Sequence, residues 1–231
     1  RIAVSDVAHN QVGRFFPGDY QIIPNGIDLG FFGGRVNKIP KYDDGKTNIL
    51  FVGRSEKRKG VKYLIDAYSQ IKWDFPNTRL IVVGPGHPDR EVARIVAERG
   101  LMDVEFEGPV SHSELPMYYH AADIFCSPAT GKESFGYVLL EAMAAGKPII
   151  ASDIDGYSSI VQHDHQGLLV PPKNGKLLAD SLALLIKNPE LAKRMGETGK
   201  NDVERYSWRR VASSVLDYYQ LTLESTIGRT T

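Results

Sequence analysis

The sequence predicts an α/β protein built on a doubly wound parallel sheet of six strands. Three observations carry the prediction. From Asn48 onward, short β-rich runs alternate with helical segments. The strand runs are continuously apolar, as strands buried on both faces are. The glycine-rich and charged stretches follow the strand runs, and ligands in such sheets sit outside the strands' carboxyl ends.

Residues 1–23 open with a strand-like run and a helical pattern over 6–16, with Ser5 as its N-cap. Pro24-Asn25-Gly26-Ile27-Asp28 is turn chemistry. Residues 29–47 are rich in Gly, Pro, Lys and Asp and read as a linker or irregular loop. The strand runs are 49–53, 79–84, 104–107, 124–127, 148–151 and 167–170. Helical patterns lie between them at 61–75, 91–99, 113–122, 135–145 and 157–161, and after them at 175–187, 189–199 and 207–223. This βαβ succession implies right-handed crossovers and a parallel sheet. No repeat or low-complexity segment interrupts it.

Composition narrows the class. The chain has 231 residues, 42% hydrophobic and 24% charged, as an ordinary globular protein does. Lys plus Arg and Asp plus Glu each total 28, so nothing favours nucleic acid as a partner. The single Cys126 lies in an apolar run; a disulfide framework is excluded, and a reducing cytoplasm fits. The apolar run 139–145 is too short to span a bilayer. The chain opens without a signal peptide or an initiator Met, in what reads as the middle of a strand, and is expected to be part of a longer protein.

The stretch 131–146 joins the fourth and fifth strands as a turn and a helix. Ser134 is the expected N-cap, and Gly146 followed by Pro148 stops the helix. Glu133 stands at the mouth and Glu141 roughly 12 Å further along the axis. A helix start offers unpaired N–H groups to phosphate, and carboxylates accept sugar hydroxyls. Two readings stay open: a seat for a nucleotide sugar, or a capped amphipathic helix with two solvated glutamates.

After the first strand of the sheet, Gly53 and Gly60 bracket Arg54, Lys57, Arg58 and Lys59. A diphosphate there would take charge-assisted hydrogen bonds from Arg54 and Lys59; the alternative is a solvated basic loop. Gly84-Pro85-Gly86 fails as a dinucleotide fingerprint, because Asp89 stands at the third glycine position. It is expected to be a tight turn that brings backbone to the ligand or to Lys59. Gly45-Lys46-Thr47 fails as a phosphate loop, with Pro40 at the first glycine and a strand following. Gly108-Pro109-Val110-Ser111 follows the third strand and has backbone to offer a base. His163-Asp164-His165 lacks a third ligand at useful spacing. No Asp-x-Asp is read after a strand, so Arg54 and Lys59, rather than a protein-held Mg²⁺, are expected to neutralise phosphate charge, and no metal site is expected.

Phe51-Val52-Gly53-Arg54, Lys59-Gly60, Ser127-Pro128, Glu133-Ser134-Phe135-Gly136, the run from Glu141 to Pro148, and Gly167-Leu168-Leu169-Val170 resemble the family 4 retaining glycosyltransferases of GT-B fold, the bacterial phosphatidylinositol mannosyltransferases in particular. The likeness covers nearly the whole chain. It implies a parent enzyme of two Rossmann-like domains, with this chain as the C-terminal, donor-binding one. Residues 1–23 would end the acceptor domain, 24–47 would link, 48–205 would bind the donor, and 206–231 would form a crossing helix and tail. By position, Arg54 and Lys59 would hold the diphosphate and Glu133 the sugar hydroxyls, as the candidate catalytic set. The N–H groups of Phe135 and Gly136 would meet phosphate or sugar, Glu141 the ribose and Val110 the base. Gly53, Ser134 and Val138 complete the expected donor-binding set.

The implied reaction is hexose transfer from a nucleoside diphosphate sugar with retention, with the acceptor attacking on the face the phosphate leaves. The implied acceptor is a sugar or a lipid, met through the N-terminal domain, and peripheral association with the inner face of the membrane stays open. One departure concerns the base. Relatives of this type place a basic residue for guanine shortly after the Val110 loop, where this chain offers only His112. GDP- and UDP-sugars are both open as donors. This half by itself is expected to bind donor weakly and transfer little. The alternatives are a nucleotide-sugar 2-epimerase, which needs acid and base groups across the cleft and no acceptor, and a non-catalytic nucleotide-binding module.

Overall fold

The computed structural model describes residues 1–86 and 88–227. Strand β1 (Ile2–Ala3), helix α1 (Asp6–Val12) and strand β2 (Gln21–Ile22) come first, and β1 and β2 pair in parallel as a sheet of their own. Ser5 caps α1 as expected, accepting the Ala8 N–H at 3.0 Å. The helix stops at Val12, short of the pattern that ran to Phe16.

The stretch 29–47 departs from the irregular linker expected there. Asp28 accepts the Phe31 N–H at 2.9 Å and starts helix α2 (Leu29–Gly33). A single 3₁₀ turn follows at Pro40–Tyr42. The polar composition masked two aromatic anchors: Phe32 and Tyr42 are buried in the core. Burying each ring contributes about 2 kcal/mol, enough to order a short segment.

The main body then runs through β3 (Thr47–Val52), α3 (Val61–Ile71), β4 (Thr78–Val83), α4 (Arg90–Glu98) and β5 (Val104–Gly108). It continues with α5 (Leu115–Ala121), β6 (Ile124–Ser127), α6 (Tyr137–Ala144), β7 (Ile149–Ser152), α7 (Asp155–Ser158) and β8 (Gly167–Val170). Helices α8 (Gly175–Lys187), α9 (Pro189–Asp202) and α10 (Trp208–Ile227) close it. All six main strands pair in parallel, in the order β5-β4-β3-β6-β7-β8.

Alternate residues along each strand serve opposite faces. Leu50, Ile81, Phe125 and Ile149 pack under α5 and α6 on one side. Ile49, Phe51, Leu80 and Cys126 pack under α3 and α8 on the other. The strand order reverses between β3 and β6, and a doubly wound sheet opens its ligand crevice at that point. The turn after β2 is clamped to the segment just before α10 and to the start of α6. The Ile27 N–H donates to the Tyr206 carbonyl at 2.8 Å, and the Tyr137 hydroxyl donates to the Gly26 carbonyl at 2.6 Å.

Candidate functional site

The loop after β3 is sewn into the crevice by backbone. The Gly53 N–H donates to the Val83 carbonyl at 2.9 Å, and the Ser55 N–H to the Pro85 carbonyl at 3.1 Å. The Gly84-Pro85-Gly86 turn therefore packs on the Gly53–Ser55 backbone, and it serves that loop rather than Lys59 directly. A 3₁₀ turn at Lys57–Lys59 then ends at Gly60, whose φ is +78°. A Cβ at Gly60 would lie 1.9 Å from the Pro128 carbonyl oxygen. Only glycine combines this left-handed conformation with so close an approach. The Thr130 N–H donates to the Arg58 carbonyl at 2.7 Å, joining the cation loop to the loop after β6.

That seam brings the charges together. Lys59 Nζ lies 2.7 Å from Glu133 Oε1, and the Arg58 guanidinium pairs with the same oxygen. Arg58 Nε also donates to Glu56 Oε2 at 2.7 Å. Arg54 stands one carboxylate further out, 3.2 Å from Glu56 Oε1, with its side chain 68% exposed, against 15% for Lys59 and 12% for Glu133. Of the three candidate catalytic residues, the structure joins Lys59 and Glu133 directly and Arg54 only through Glu56 and Arg58. In the sequence Arg58 is one of four loop cations, and nothing local singles it out. Arg54 and Arg58 look alike in sequence, and the folded loop places Arg58 on Glu133 and Arg54 on Glu56.

The helix start differs from expectation. Ser134 is not the N-cap: the helix begins at Tyr137, and the capping residue is Gly136, with φ +85°. Ser134 instead offers its carbonyl, which accepts the Ser5 hydroxyl at 2.5 Å. The cause is the left-handed turn at Gly136, which packs against the Tyr157 ring; a Cβ there would sit 2.7 Å from that ring. Phe135 turns its side chain into the core, edge-on to Tyr206. Among the described residues, the Phe135 and Gly136 N–H groups take no part in the backbone hydrogen bonds of this turn. They remain the donors expected for phosphate or sugar, set beside Glu133 and its two cations.

Glu141 lies deeper. Its residue is 8% exposed, and the Tyr119 hydroxyl donates to Oε2 at 2.5 Å. Burial pushes the Glu141 carboxyl up to about 7, against the pull of the Tyr119 hydrogen bond. Val110 and Val138 are half-buried against the same core. His112, the one candidate reader of the base, stacks on Phe31 at 4.7 Å with the rings 10° from parallel.

The rest of the titratable chemistry lies elsewhere. Cys126 is fully buried, and burial pushes its thiol up. His163 Nδ1 accepts the Leu169 N–H at 3.0 Å, and His165 pairs with Asp202 at 3.2 Å. The expectation that no Asp-x-Asp follows a strand is wrong: Asp153-Ile154-Asp155 follows β7 directly and places Asp155 at the start of α7. Among the described residues, no group of three or more His, Cys, Asp or Glu is placed to hold a metal. A cavity of about 790 Å³ opens between the stretch 33–48 and the end of α5, at the strands' amino ends and away from the crevice. Among the described residues, no helix is long and apolar enough to cross a membrane.

Comparison with known proteins places this geometry in a family. The model of "Glycosyl transferases group 1" matches residues 35–202. The phosphatidyl-myo-inositol mannosyltransferase of Mycobacterium tuberculosis is 38% identical over 227 residues, covering 95% of this chain and 59% of that protein. Among solved structures, sucrose-phosphate synthase from Thermosynechococcus elongatus superposes with a TM-score of 0.82 at 30% identity, over 97% of this chain and 58% of the other. The C-terminal domain of a group 1 glycosyl transferase from Francisella tularensis matches with a TM-score of 0.71 at 28% identity, over 79% of this chain and 100% of that one. The chain thus spans 59% of the length of its curated mycobacterial relative. With its six parallel strands and these matches, the chain belongs to the group 1 glycosyltransferases.

Proposed function

We propose that this chain is the donor-binding half of a retaining glycosyltransferase that takes its hexose from a nucleoside diphosphate sugar. One observation carries the reading. Lys59 and Arg58 converge on Glu133 beside the Phe135 and Gly136 N–H groups, where the strand order reverses. Cations and N–H dipoles at one point suit a diphosphate, and a half-buried carboxylate next to them suits sugar hydroxyls.

In the proposed reaction the bond between the anomeric carbon and the diphosphate oxygen breaks. The acceptor oxygen bonds that carbon from the same face, and the acceptor's proton passes to the departing oxygen. Lys59 and Arg58, with Arg54 at the rim, offset the charge that grows on the diphosphate. Glu133 orients the sugar, Glu141 takes the ribose, and Val110 borders the base. With His112 stacked on Phe31, both uracil and guanine stay within the proposal.

Residues 1–23 are proposed to close the acceptor domain. The hydrogen bond from Ser5 to Ser134 supports direct contact between that segment and the donor turn. The acceptor, sugar or lipid, and any peripheral membrane contact belong to the same proposal and would involve parts of the enzyme outside this chain. Neither 2-epimerisation nor passive nucleotide binding gains support from the matches.

Calorimetric titration of UDP-glucose and GDP-mannose into the chain tests the reading and reads the base at once. One of the two is expected to bind, and Lys59→Ala to weaken it by roughly 1.5–3 kcal/mol. A folded chain that binds neither, or a Lys59→Ala variant that binds as tightly as the parent, overturns the donor site.

A further inference from the structure

We infer that Tyr119 is a positioning residue of the donor site: its buried hydroxyl holds the Glu141 carboxylate in place to accept the ribose diol. The inference rests on the proposed role of Glu141 and extends it to a residue that never meets the donor. Tyr119 is fully buried on α5, with its ring between Phe32, edge-on at 5.8 Å, and Phe125 at 5.4 Å. Packing of that density leaves the hydroxyl no other direction.

The hydroxyl reaches Glu141 Oε2 at 2.5 Å and the Val138 carbonyl at 3.4 Å. Among the described residues, no buried side-chain oxygen lacks a partner. Glu141 Oε1, which the Tyr119 bond leaves aside, therefore retains a face toward solvent. A carboxylate with one oxygen tied down and the other open is preset to accept a diol, and it accepts both hydroxyls only when ionised.

Tyr119 also governs how readily that ionised form persists. A phenol donates to a carboxylate without bringing a charge, so it favours ionisation weakly where Lys59 and Arg58 would favour it strongly. Two further tyrosines and one carboxylate lie around the pair: Tyr137 on α6 itself, Tyr157 on α7, and Asp28 near Tyr137. None of these brings a cation to Glu141. Donor affinity should therefore depend on pH near neutrality, because the Glu141 carboxyl titrates at about 7.

The test titrates UDP-glucose and GDP-mannose into the chain between about pH 5.5 and 8.5, a range in which their phosphates stay ionised. The variants are Tyr119→Phe, Glu141→Gln and the double variant, each checked for folding by circular dichroism. In the parent chain, affinity should fall as pH drops through about 7. Tyr119→Phe should weaken binding about 3- to 10-fold at neutral pH and move the midpoint upward, since the hydrogen bond that favours the ionised form is lost. Glu141→Gln should weaken binding and remove that part of the pH dependence, and adding Tyr119→Phe should then change nothing further. A Tyr119→Phe loss that is the same at every pH, or that persists in the Glu141→Gln background, reduces Tyr119 to packing and overturns the inference. Unchanged affinity in Glu141→Gln overturns the ribose reading of Glu141 instead.

Discussion

Glu133 and Glu141 stand eight positions apart on one stretch of chain, and both are largely buried, yet the molecule treats them oppositely. Glu133 sits on a turn and shares one oxygen with Lys59 and Arg58. Glu141 sits on a helix and receives one neutral hydroxyl. The first is paired with two cations; the second is buried without one, which raises its carboxyl.

The largest effect should come from breaking the seam that makes the first arrangement. Gly60→Val places a branched side chain at φ +78° against the Pro128 carbonyl. It should destabilise the chain by roughly 3 kcal/mol in urea unfolding, with the loss concentrated at the Lys59 side. A neutral result would mean that the two loops are not one unit.

The next effect separates the two glutamates by pH. Relative to its ordinary value of 4.5, the Glu141 carboxyl in the fold takes up its proton at about 7. The folded chain then binds more protons than the unfolded one between those values, so this group lowers stability as pH rises through that window. Glu141→Gln should therefore stabilise the chain by roughly 1–3 kcal/mol near pH 8 and by about nothing near pH 4.5, while weakening donor binding. Stability curves of the two proteins that run parallel with pH would show that Glu141 is solvated after all.

Smaller effects grade the cations. Arg58→Ala leaves Glu133 with Lys59 alone and should cost the donor about fivefold in affinity. Arg54→Ala removes a mostly exposed guanidinium and should leave stability within about 0.5 kcal/mol. If it also leaves donor affinity unchanged, Arg54 is outside the site; a loss as large as that of Lys59→Ala would show that Arg54 turns inward when diphosphate is bound.

Much of the fold was legible in the residues. Each of the six strand runs lies within a residue or two of the observed strand. The expectation of continuously apolar strands fails at β5, an edge strand where Glu105 and Glu107 alternate with Val104 and Phe106 and every residue is half-buried. Helix ends were less legible. Ser134 carried the usual capping side chain, but the left-handed turn at Gly136 displaced the start of the helix to Tyr137. The stretch 29–47 was misread because two buried rings, Phe32 and Tyr42, outweigh a polar composition. In the candidate site, the resemblance named Arg54, Lys59 and Glu133 together; Lys59 and Glu133 are in contact, Arg54 is not, and Tyr119 gave no local signal at all.

By itself, the sequence determined the strands, their parallel order of succession, and the residue types gathered at the strands' carboxyl ends, since those follow from apolar periodicity and turn chemistry. Only the tertiary structure decided which of two arginines faces Glu133 and which hydroxyl meets Glu141. Those choices depend on contacts between segments distant in the chain, and on how much water each carboxylate keeps, which no local pattern encodes.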